Sequence, residues 1–535
     1  MTGAFAVRGV VEGFYGTPWS HDARLEVIAY LATHGMNAYA YAPKDDAKHR
    51  ADWRTPYDRA ELDRFRELAA HADAHGVRFG FAISPGLDID YGSDADRATL
   101  LDKLAPLQDA GVTWFLLLLD DIPMQPGLAP RQAALATWLH DALSGGALTL
   151  CPTEYVGTHP SPYLSELGAR LPPAVDIMWT GPTVCSPELR ADDARGWVKA
   201  LGDRRVIVWD NYPVNDALMT ASLHLGAYEG RAPELVDIVG GILCNPMTQA
   251  RASQVPLATA MDFLTAPAAY DPSAAWVRAI REVGGARAPA LGTLARACAD
   301  SPIATPETLA LAQQVEELEG ELDGPGWIGA VAEVKAELAA ARELTDAFPA
   351  ADPAVDPLAV EVAPWAFGAR VEAEAGLAAL RLIQAARPVA TVDAGGRGRV
   401  ATPDPDLAMQ TAFVVLYLWK AARADEMVVF GPRFAIYTPV VQLADGAPAL
   451  DTALAVREDA NAIDALCRLA LRTYDDWRTR VAGLKPRVFV DGEERAVAPD
   501  GSFDATGTMV LVRVGEQCTR VDARTSLPFT DRRFA

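Results

Sequence analysis

The chain has 535 residues, of which 50% are hydrophobic and 22% are charged, and its formal net charge is -23. This length allows two to four domains, and the apolar fraction is enough for substantial cores. The acidic charge repels phosphate backbones and anionic lipids, so the composition argues against nucleic-acid and membrane partners.

The cysteines and the N-terminus predict a reducing environment. None of the six cysteines lies in a Cys-x-x-Cys pair or near a histidine at ligand spacing; they are Cys151, Cys185, Cys244, Cys298, Cys467 and Cys518. This pattern is typical of ordinary thiols and predicts no zinc site. The sequence shows no signal peptide, and no apolar run reaches the ~18–20 residues of a membrane-spanning helix. We therefore expect a cytoplasmic protein without a metal or other cofactor.

Eight short apolar segments in the first 260 or so residues predict β-strands. They are residues 7–14, 38–43, 77–84, 113–120, 147–153, 176–180, 205–210 and 240–244. Amphipathic stretches such as His21–His34 and Asp58–His75 lie between them, with apolar positions at helical spacing. Eight β-then-α units match an α/β fold of the TIM-like (β/α)8 barrel type. A doubly wound open sheet is the alternative, but the first strand is not followed by a glycine-rich phosphate motif.

The composition changes beyond about residue 265. Ala266–Trp276 and Pro349–Pro364 are rich in proline and predict linkers. Helices are expected over 316–344, 366–386, 405–424 and 451–480, residues 427–442 look extended, and alternation from Pro486 predicts a small β-rich segment. We therefore divide the chain into a barrel over 1–268, a mainly α-helical domain over 269–484 and a β-rich C-terminal segment over 485–535.

Residues 114–121, with the sequence WFLLLLDD, form the most informative segment. Four consecutive leucines are typical of a strand buried on both faces of a parallel sheet. Asp120 and Asp121 end this strand, and such carboxylates are costly unless water or a ligand meets them. Because close carboxylates do not readily ionise together, the pair is expected to split into an acid with a raised pKa and a base. Such a pair can cleave a glycosidic bond, whereas the structural alternative is a solvated Asp-Asp turn.

Polar or aromatic residues follow nearly every predicted strand. In a barrel they would all lie at the carboxyl ends of the strands, where active sites are built. Eight motifs occur there in order: VVEGFYGTPWS (10–20), YAPKDDAKHR (41–50), ISPGLDID (83–90), LDDI (119–122), CPTEYVGT (151–158), WTGP (179–182), WDNYPVND (209–216) and Asn245-Pro246. Together they resemble glycoside hydrolase family 84, which contains the O-GlcNAcases and related bacterial β-N-acetylglucosaminidases.

This resemblance implies a retaining exo-β-N-acetylglucosaminidase that acts on terminal β-linked GlcNAc in a glycoprotein, a glycan or a small glycoside. The 2-acetamido oxygen of the substrate would attack the anomeric carbon and form an oxazoline, so the substrate supplies the nucleophile. Two alternatives stay open. One is an endo-acting hydrolase of the hyaluronidase type, and the other is a non-catalytic barrel that binds GlcNAc or serves as a scaffold.

The resemblance also implies roles for single residues around the acetamido group. Asp120 would accept the acetamido N–H and orient the carbonyl oxygen. Asp121 would protonate the leaving oxygen and then deprotonate water. Tyr155 would hydrogen-bond the acetamide oxygen, Trp209 would wall the pocket for the acetyl methyl group, and Asn211 would reach the acetamide or its orienting aspartate.

Five further residues are expected to bind the sugar ring. Asp216 would accept the O4 and O6 hydroxyls, and Asn245 and Lys44 would bind hydroxyls on the other edge. Gly13 would let the backbone approach the sugar, because it has no Cβ. Tyr15 would pack beneath the ring.

Four charged residues near Lys44 are expected to be structural. Asp45 and Asp46 are expected to hold Lys44 and the rim of the site, and Arg50 and Arg54 are expected to have no chemical role.

Overall fold

The computed structural model describes residues 3–143, 146–299, 310–322, 324, 326–349, 352–393, 395–401, 403–425, 427–431, 434–437, 440–442, 448–450, 453–456, 461–481, 484–514 and 517–522. The described residues fall into two compact units. The first is built mainly from Met1–Ala288, and the second mainly from Glu307–Ala435 and Leu454–Ala535. The predicted boundaries after residues 268 and 484 stay a prediction.

Eight parallel strands of the first unit close into a barrel in chain order. They are β1 Val7–Glu12, β2 Ala38–Tyr41, β3 Arg78–Ile83, β4 Trp114–Leu118, β5 Ala147–Cys151, β6 Asp176–Trp179, β7 Val206–Asp210 and β8 Gly241–Cys244. The barrel closes where β8 pairs with β1, with Gly241 opposite Val7. The predicted barrel is confirmed, and each strand lies inside its predicted segment. Six predicted segments run one or two residues too far, so the residues that follow these strands lie in loops.

Seven α-helices surround the strands. They are α1 His21–Thr33, α2 Arg59–Ala74, α3 Asp94–Asp109, α4 Leu128–Ala142, α5 Pro162–Arg170, α6 Ala191–Ala200 and α7 Ala250–Thr265. Side-chain caps explain where several begin: Asp58 starts α2 in a capping box with Glu61. Between β7 and β8, where every residue is described, two 3-10 turns (Ala217–Met219 and Pro233–Asp237) stand in place of an α-helix. The expectation of eight regular β-then-α units is therefore wrong at this one position.

Both faces of the barrel strands are buried, as the run of leucines predicts. Along β4, Leu116 and Leu118 pack in one apolar cluster with Trp209, while Phe115 and Leu117 pack in a second cluster that includes helix residues. This alternation follows from the two-residue period of a strand. It decides which side chains at the strand ends enter the barrel mouth and which turn towards the helices.

The chain beyond the barrel is largely helical, with small antiparallel sheets. Its helices are α8 Pro272–Gly284, α9 Ala288–Ala297, α10 Ala310–Glu321, α11 Trp327–Arg342, α12 Leu344–Ala347, α13 Pro357–Ala385, α14 Pro405–Ala422 and α15 Ala462–Asp476. Its strands are β9 Val389–Val392, β10 Arg397–Ala401, β11 Phe434–Tyr437, β12 Val440–Gln442, β13 Pro448–Leu450, β14 Ala453–Val456, β15 Arg487–Val490, β16 Glu493–Arg495, β17 Ser502–Asp504, β18 Met509–Val514 and β19 Gln517–Asp522. The order β16-β15-β18-β19 gives the largest of these sheets and confirms the small C-terminal β-rich segment.

Several predictions for this region are wrong in detail. Both proline-rich linkers run into helices, because Pro272 and Pro357 lie in the first turn of α8 and α13, where a missing N–H costs nothing. The helix expected over 316–344 is divided between α10 and α11, and the stretch from 451 includes strand β14 before α15 begins. Among the described residues, no helix combines the length and apolarity that crossing a membrane requires.

Candidate active site

A cavity of about 420 Å³ lies at the carboxyl ends of the barrel strands. All ten residues chosen from the sequence line it: Gly13, Tyr15, Lys44, Asp120, Asp121, Tyr155, Trp209, Asn211, Asp216 and Asn245. They follow or end β1, β2, β4, β5, β7 and β8. Because parallel strands in a closed barrel place all their carboxyl ends on one face, residues far apart in sequence meet there.

Asp120 is buried, with one oxygen paired and the other unpartnered. Its Oδ2 accepts a hydrogen bond from Lys44 Nζ, and the two side chains are only 8% and 2% exposed. Lys44 Nζ also lies 5.4 Å from the centroid of the Trp209 ring. Asp120 Oδ1 is buried without a hydrogen-bond partner among the described residues. A buried acceptor left unpaired is costly, so this oxygen suits a donor that a ligand brings.

Asp121 turns into the same cavity because its backbone is left-handed. Its φ is +52°, a region that residues other than glycine enter uncommonly. Its Oδ1 accepts a hydrogen bond from Tyr155 Oη at 2.8 Å, and its Oδ2 accepts one from Tyr15 Oη at 2.7 Å. Continued strand geometry would have sent the two carboxylates to opposite faces. The left-handed residue therefore lets two adjacent acids line one site.

The electrostatic environment of Asp121 differs from the expectation. Burial acts to raise the pKa of its carboxyl, but the charge of Lys44 opposes it, together with the phenol hydrogen bonds from Tyr15 and Tyr155 and the charge of Arg50. These four contributions together outweigh the effect of burial, and the pKa of Asp121 lies below its usual range. The prediction of a raised pKa is therefore wrong for the site without substrate, because it considered the neighbouring carboxylate but not the cations and donors from other strands.

Two asparagines tie the ends of β1, β7 and β8 together. Gly13 N–H donates to Asn245 Oδ1 at 3.1 Å, and Asn245 Nδ2 donates to Asn211 Oδ1 at 2.9 Å. Asn211 Oδ1 also accepts from Trp209 Nε1 at 2.9 Å, while Asn211 Nδ2 donates to Val184 O at 2.7 Å. Both amide oxygens thus hold the framework, and each amide nitrogen has one hydrogen left for a ligand.

Gly13 is required by the neighbouring indole. A Cβ at this position would lie 2.2 Å from Trp209 Cζ2 and 2.6 Å from Cη2, far inside van der Waals contact. The sequence-based reason for this glycine was close approach of a sugar. The structure adds a packing reason: the missing side chain makes room for the ring of Trp209.

Asp216 connects the loops after β1 and β7 at one side of the cavity. Its Oδ2 accepts a hydrogen bond from the backbone N–H of Tyr15 at 2.8 Å. Burial raises the pKa of Asp216, and the charge of Asp121 acts in the same direction, against the hydrogen bond from Tyr15 and the charge of Lys44. Asp216 therefore presents a half-buried carboxyl group that bounds the cavity.

The acids next to Lys44 do not hold it. Asp45 Oδ2 accepts from Gly16 N at 3.0 Å, and Asp46 Oδ2 accepts from Tyr41 Oη at 2.8 Å. The expectation that they hold Lys44 is wrong, because Lys44 turns into the barrel to Asp120. Asp45 and Asp46 instead fix the loops around it.

Two further buried acids at strand ends turn away from the cavity, Glu12 towards helix α1 and Asp210 towards the loop between β7 and β8. Glu12 pairs with Arg24 at 2.7 Å, and Asp210 pairs with Arg231 at 2.7 Å. Each lies next in sequence to a cavity residue, Gly13 or Trp209. These acids hold the strand ends and do not reach the cavity.

Sequence reasoning missed one wall of the cavity. It consists of small and apolar side chains, mostly from the loops after β6 and β7: Cys151, Thr180, Thr183, Val184, Cys185, Pro187, Val214, Ala217, Leu218 and Met219. Cys151, Thr180 and Val214 lie within the family motifs but carry no chemical signature. For the other seven, only the position of the loops after their strands could have indicated them. The described residues contain no group of three His, Cys, Asp or Glu side chains able to hold a metal ion.

Paired carboxylates in a cavity at the carboxyl ends of a closed (β/α)8 barrel are the arrangement of a glycoside hydrolase. The model of the β-N-acetylglucosaminidase family matches residues 8–296, which is more than half of the chain, and the chain belongs to this family. The resemblance inferred from the motifs is thereby confirmed.

Individual proteins similar to this chain belong with the same activity class by their names. The protein O-GlcNAcases of Rattus norvegicus and Mus musculus are each 37% identical to this chain over 267 residues, which is 47% of this chain and 29% of each relative. The chain thus spans less than a third of the length of these curated relatives. A solved O-GlcNAc hydrolase variant from Thermobaculum terrenum matches with a TM-score of 0.73 at 28% identity, over 88% of this chain and 94% of that chain. A structure described as CpGH84B matches with a TM-score of 0.70 at 27% identity, over 80% of this chain and 75% of that chain.

Proposed function

We propose that the chain is a retaining exo-β-N-acetylglucosaminidase that releases terminal β-linked GlcNAc from O-GlcNAc-like conjugates. Asp120 carries this proposal. One of its oxygens is held by Lys44, and the other is buried without a partner in the cavity. A 2-acetamido group supplies the missing donor, and its N–H on Oδ1 would direct its carbonyl oxygen towards the anomeric carbon.

The proposed reaction has two steps. In the first, the acetamido oxygen bonds to the anomeric carbon, the glycosidic bond breaks, and Asp121 gives a proton to the leaving oxygen. In the second, Asp121 takes a proton from water, whose oxygen bonds to the anomeric carbon and opens the oxazoline. Two displacements at one carbon retain its configuration, and Asp120 stabilises the positive charge that develops on the acetamido group.

The low pKa of Asp121 without substrate is compatible with this acid role. Tyr155 Oη now donates to Asp121 Oδ1. When it donates to the substrate's acetamide oxygen instead, Asp121 loses one of the hydrogen bonds that lower its pKa. Binding of an N-acetylated sugar would therefore make protonation of the acid easier at the moment when the proton is needed.

The walls of the cavity favour a terminal sugar. The indole of Trp209 offers an apolar surface for the acetyl methyl group, and Asp216 offers an acceptor for the O4 and O6 hydroxyls. Because Asp216 is also bonded to the Tyr15 backbone, a polymer continuing from O4 would meet this connection. These features support exo-cleavage over cleavage within a polymer.

Release assays test the proposal. We expect hydrolysis of an aryl β-GlcNAc and of a GlcNAc-modified peptide, and none of the matching aryl β-glucoside, which lacks the acetamido group. Fluorinating the acetyl group should slow the reaction steeply, because it weakens the carbonyl nucleophile. A rate that does not respond to fluorination would indicate an enzyme nucleophile. Internal cleavage of hyaluronan would favour the endo-acting alternative. Release of neither GlcNAc nor its epimer GalNAc from aryl glycosides would favour a non-catalytic barrel.

We further propose a cytoplasmic location. None of the six cysteines, all within the described part of the chain, forms a disulfide. Ordinary thiols are usual in a reducing compartment. Fractionation of producing cells would test this, and recovery of the protein outside the cytoplasm would contradict it.

A further inference from the structure

Arg50 contacts both Asp121 and Tyr15, one of the two tyrosines that donate hydrogen bonds to this acid. Its Nη1 donates to Tyr15 Oη, and its Nη2 lies 3.5 Å from the backbone oxygen of Asp121. Its guanidinium carbon is 5.4 Å from the centroid of the Tyr15 ring, and the residue is only 8% exposed. The sequence-based expectation of a purely structural arginine does not account for these contacts.

The guanidinium of Arg50 determines which way the hydroxyl proton of Tyr15 points. A guanidinium has only donors, so Tyr15 Oη must accept from Arg50. The hydroxyl proton of Tyr15 is then directed to Asp121 Oδ2, which lies 2.7 Å away. Because the ionised carboxylate of Asp121 only accepts hydrogen bonds, this orientation of the hydroxyl satisfies all three groups at once, and Arg50 strengthens it by occupying the phenol oxygen from the other side.

We propose that Arg50 is a positioning residue for the general acid, acting on Asp121 through the hydroxyl of Tyr15. This inference rests on the proposed function, since it assigns a role within the same reaction. Arg50 sets the direction of the phenol proton and adds a nearby positive charge. It would not touch the substrate itself.

Several charged and titratable groups face Asp121 from the surrounding strands, and any pH profile reflects them all. They are Tyr15 after β1, Lys44 and Arg50 after β2, Asp120 after β4, Cys151 and Tyr155 at β5, and Asp216 after β7. Arg50 lowers the pKa of Asp121 from behind the Tyr15 ring. Removing it takes away a cation and loosens a hydrogen bond, and both changes raise the pKa of Asp121.

The main experiment compares pH profiles of kcat, which report the acid in the enzyme–substrate complex, for the wild type, Arg50→Gln and Arg50→Lys. The alkaline limb reports loss of the protonated acid, so we expect it to move upward by about 0.5–1 pH unit in Arg50→Gln. Arg50→Lys, which keeps the charge, should recover part of this shift. At the pH optimum of each variant, turnover of a glycoside with a poor leaving group should fall about 10-fold, because Asp121 is held less firmly, and that of an activated aryl glycoside should fall much less.

Arg54 provides a matched control. It is four residues away and pairs with Asp88 and Asp96 at 39% side-chain exposure, without contact to the site. Arg54→Gln should show the wild-type profile. An alkaline limb that does not move in folded Arg50→Gln, or that moves equally in Arg54→Gln, would overturn the proposal.

A double-mutant comparison tests the route through Tyr15. Tyr15→Phe removes the hydroxyl, so adding Arg50→Lys to it should change the ratio between poor and good leaving groups no further. Fully additive effects would overturn action through the hydroxyl, and this comparison decides the matter even where Arg50→Gln does not fold. If the wild type releases no GlcNAc, the proposed function itself fails. If it does and the limb stays fixed, only the role of Arg50 fails.

Discussion

Replacing Gly13 by alanine tests how closely the backbone of β1 fits the wall of the cavity. The added Cβ would lie 2.2 Å from Cζ2 of Trp209, whereas carbon atoms in contact are separated by about 3.5–4.0 Å. The indole therefore has to move by more than about 1 Å. Trp209 is 4% exposed, so this movement has to be absorbed in a packed environment.

Two effects follow from this displacement. Overpacking a core position costs about 1–3 kcal/mol, so the melting temperature should fall measurably. Misplacing a positioning group by about 1 Å costs about 100-fold in rate, so kcat/KM for an aryl β-GlcNAc should fall by that order. The hydrogen bond from Trp209 Nε1 to Asn211 makes a simple tilt of the ring unfavourable.

Steady-state kinetics and thermal melting of Gly13→Ala measure both effects. Gly92→Ala is the control, because it lies in a loop at the same face of the barrel and its added methyl group would meet only Asp90 Oδ1 at 3.5 Å. Adding Trp209→Phe removes the ring edge that clashes but also the hydrogen bond to Asn211, so it should recover part of the melting temperature lost in Gly13→Ala and none of its activity. Gly13→Ala with melting and kcat/KM close to those of the wild type would refute the reasoning.

Three further predictions concern the acids and one histidine. Asp121→Asn should lower turnover of glycosides with poor leaving groups by at least about 100-fold and of activated aryl glycosides far less; equal losses would exclude Asp121 as the acid. Asp120→Asn should lower turnover of both classes and also the melting temperature, because it leaves a buried ammonium group without its carboxylate; an active, equally stable variant would contradict this. Burial acts to lower the pKa of His34, but the carboxylates of Asp262 and Glu282 outweigh it and raise the pKa. The stability that His34 contributes is then fully present below its unfolded pKa of about 6.5 and is lost as the pH rises through its folded pKa. The difference in melting temperature between the wild type and His34→Gln should therefore be largest near pH 6 and shrink towards pH 9, and a difference that grows with pH would count against this ion pair.

The barrel could be predicted from the sequence because its strands are recognisable one at a time. A strand buried on both faces needs a continuous apolar run, as in residues 114–119, and this requirement does not depend on distant residues. Polar groups after such runs are equally visible, and closure of the barrel brings them to one cavity. The helical region was less predictable, because a proline such as Pro272 or Pro357 is compatible with either a linker or the first turn of a helix.

The sequence by itself thus determined the fold class, the family and ten of the residues that line the cavity, but not the apolar wall formed mostly by the loops after β6 and β7. Only the tertiary structure decided how these residues act on one another. Lys44 pairs with Asp120 and not with its sequence neighbours Asp45 and Asp46, the pKa of Asp121 is lowered, and Arg50 donates a hydrogen bond to Tyr15. The physical reason is that strand and helix periodicity is a local property, whereas pKa values and hydrogen-bond partners are set by groups that come from different strands of the closed barrel.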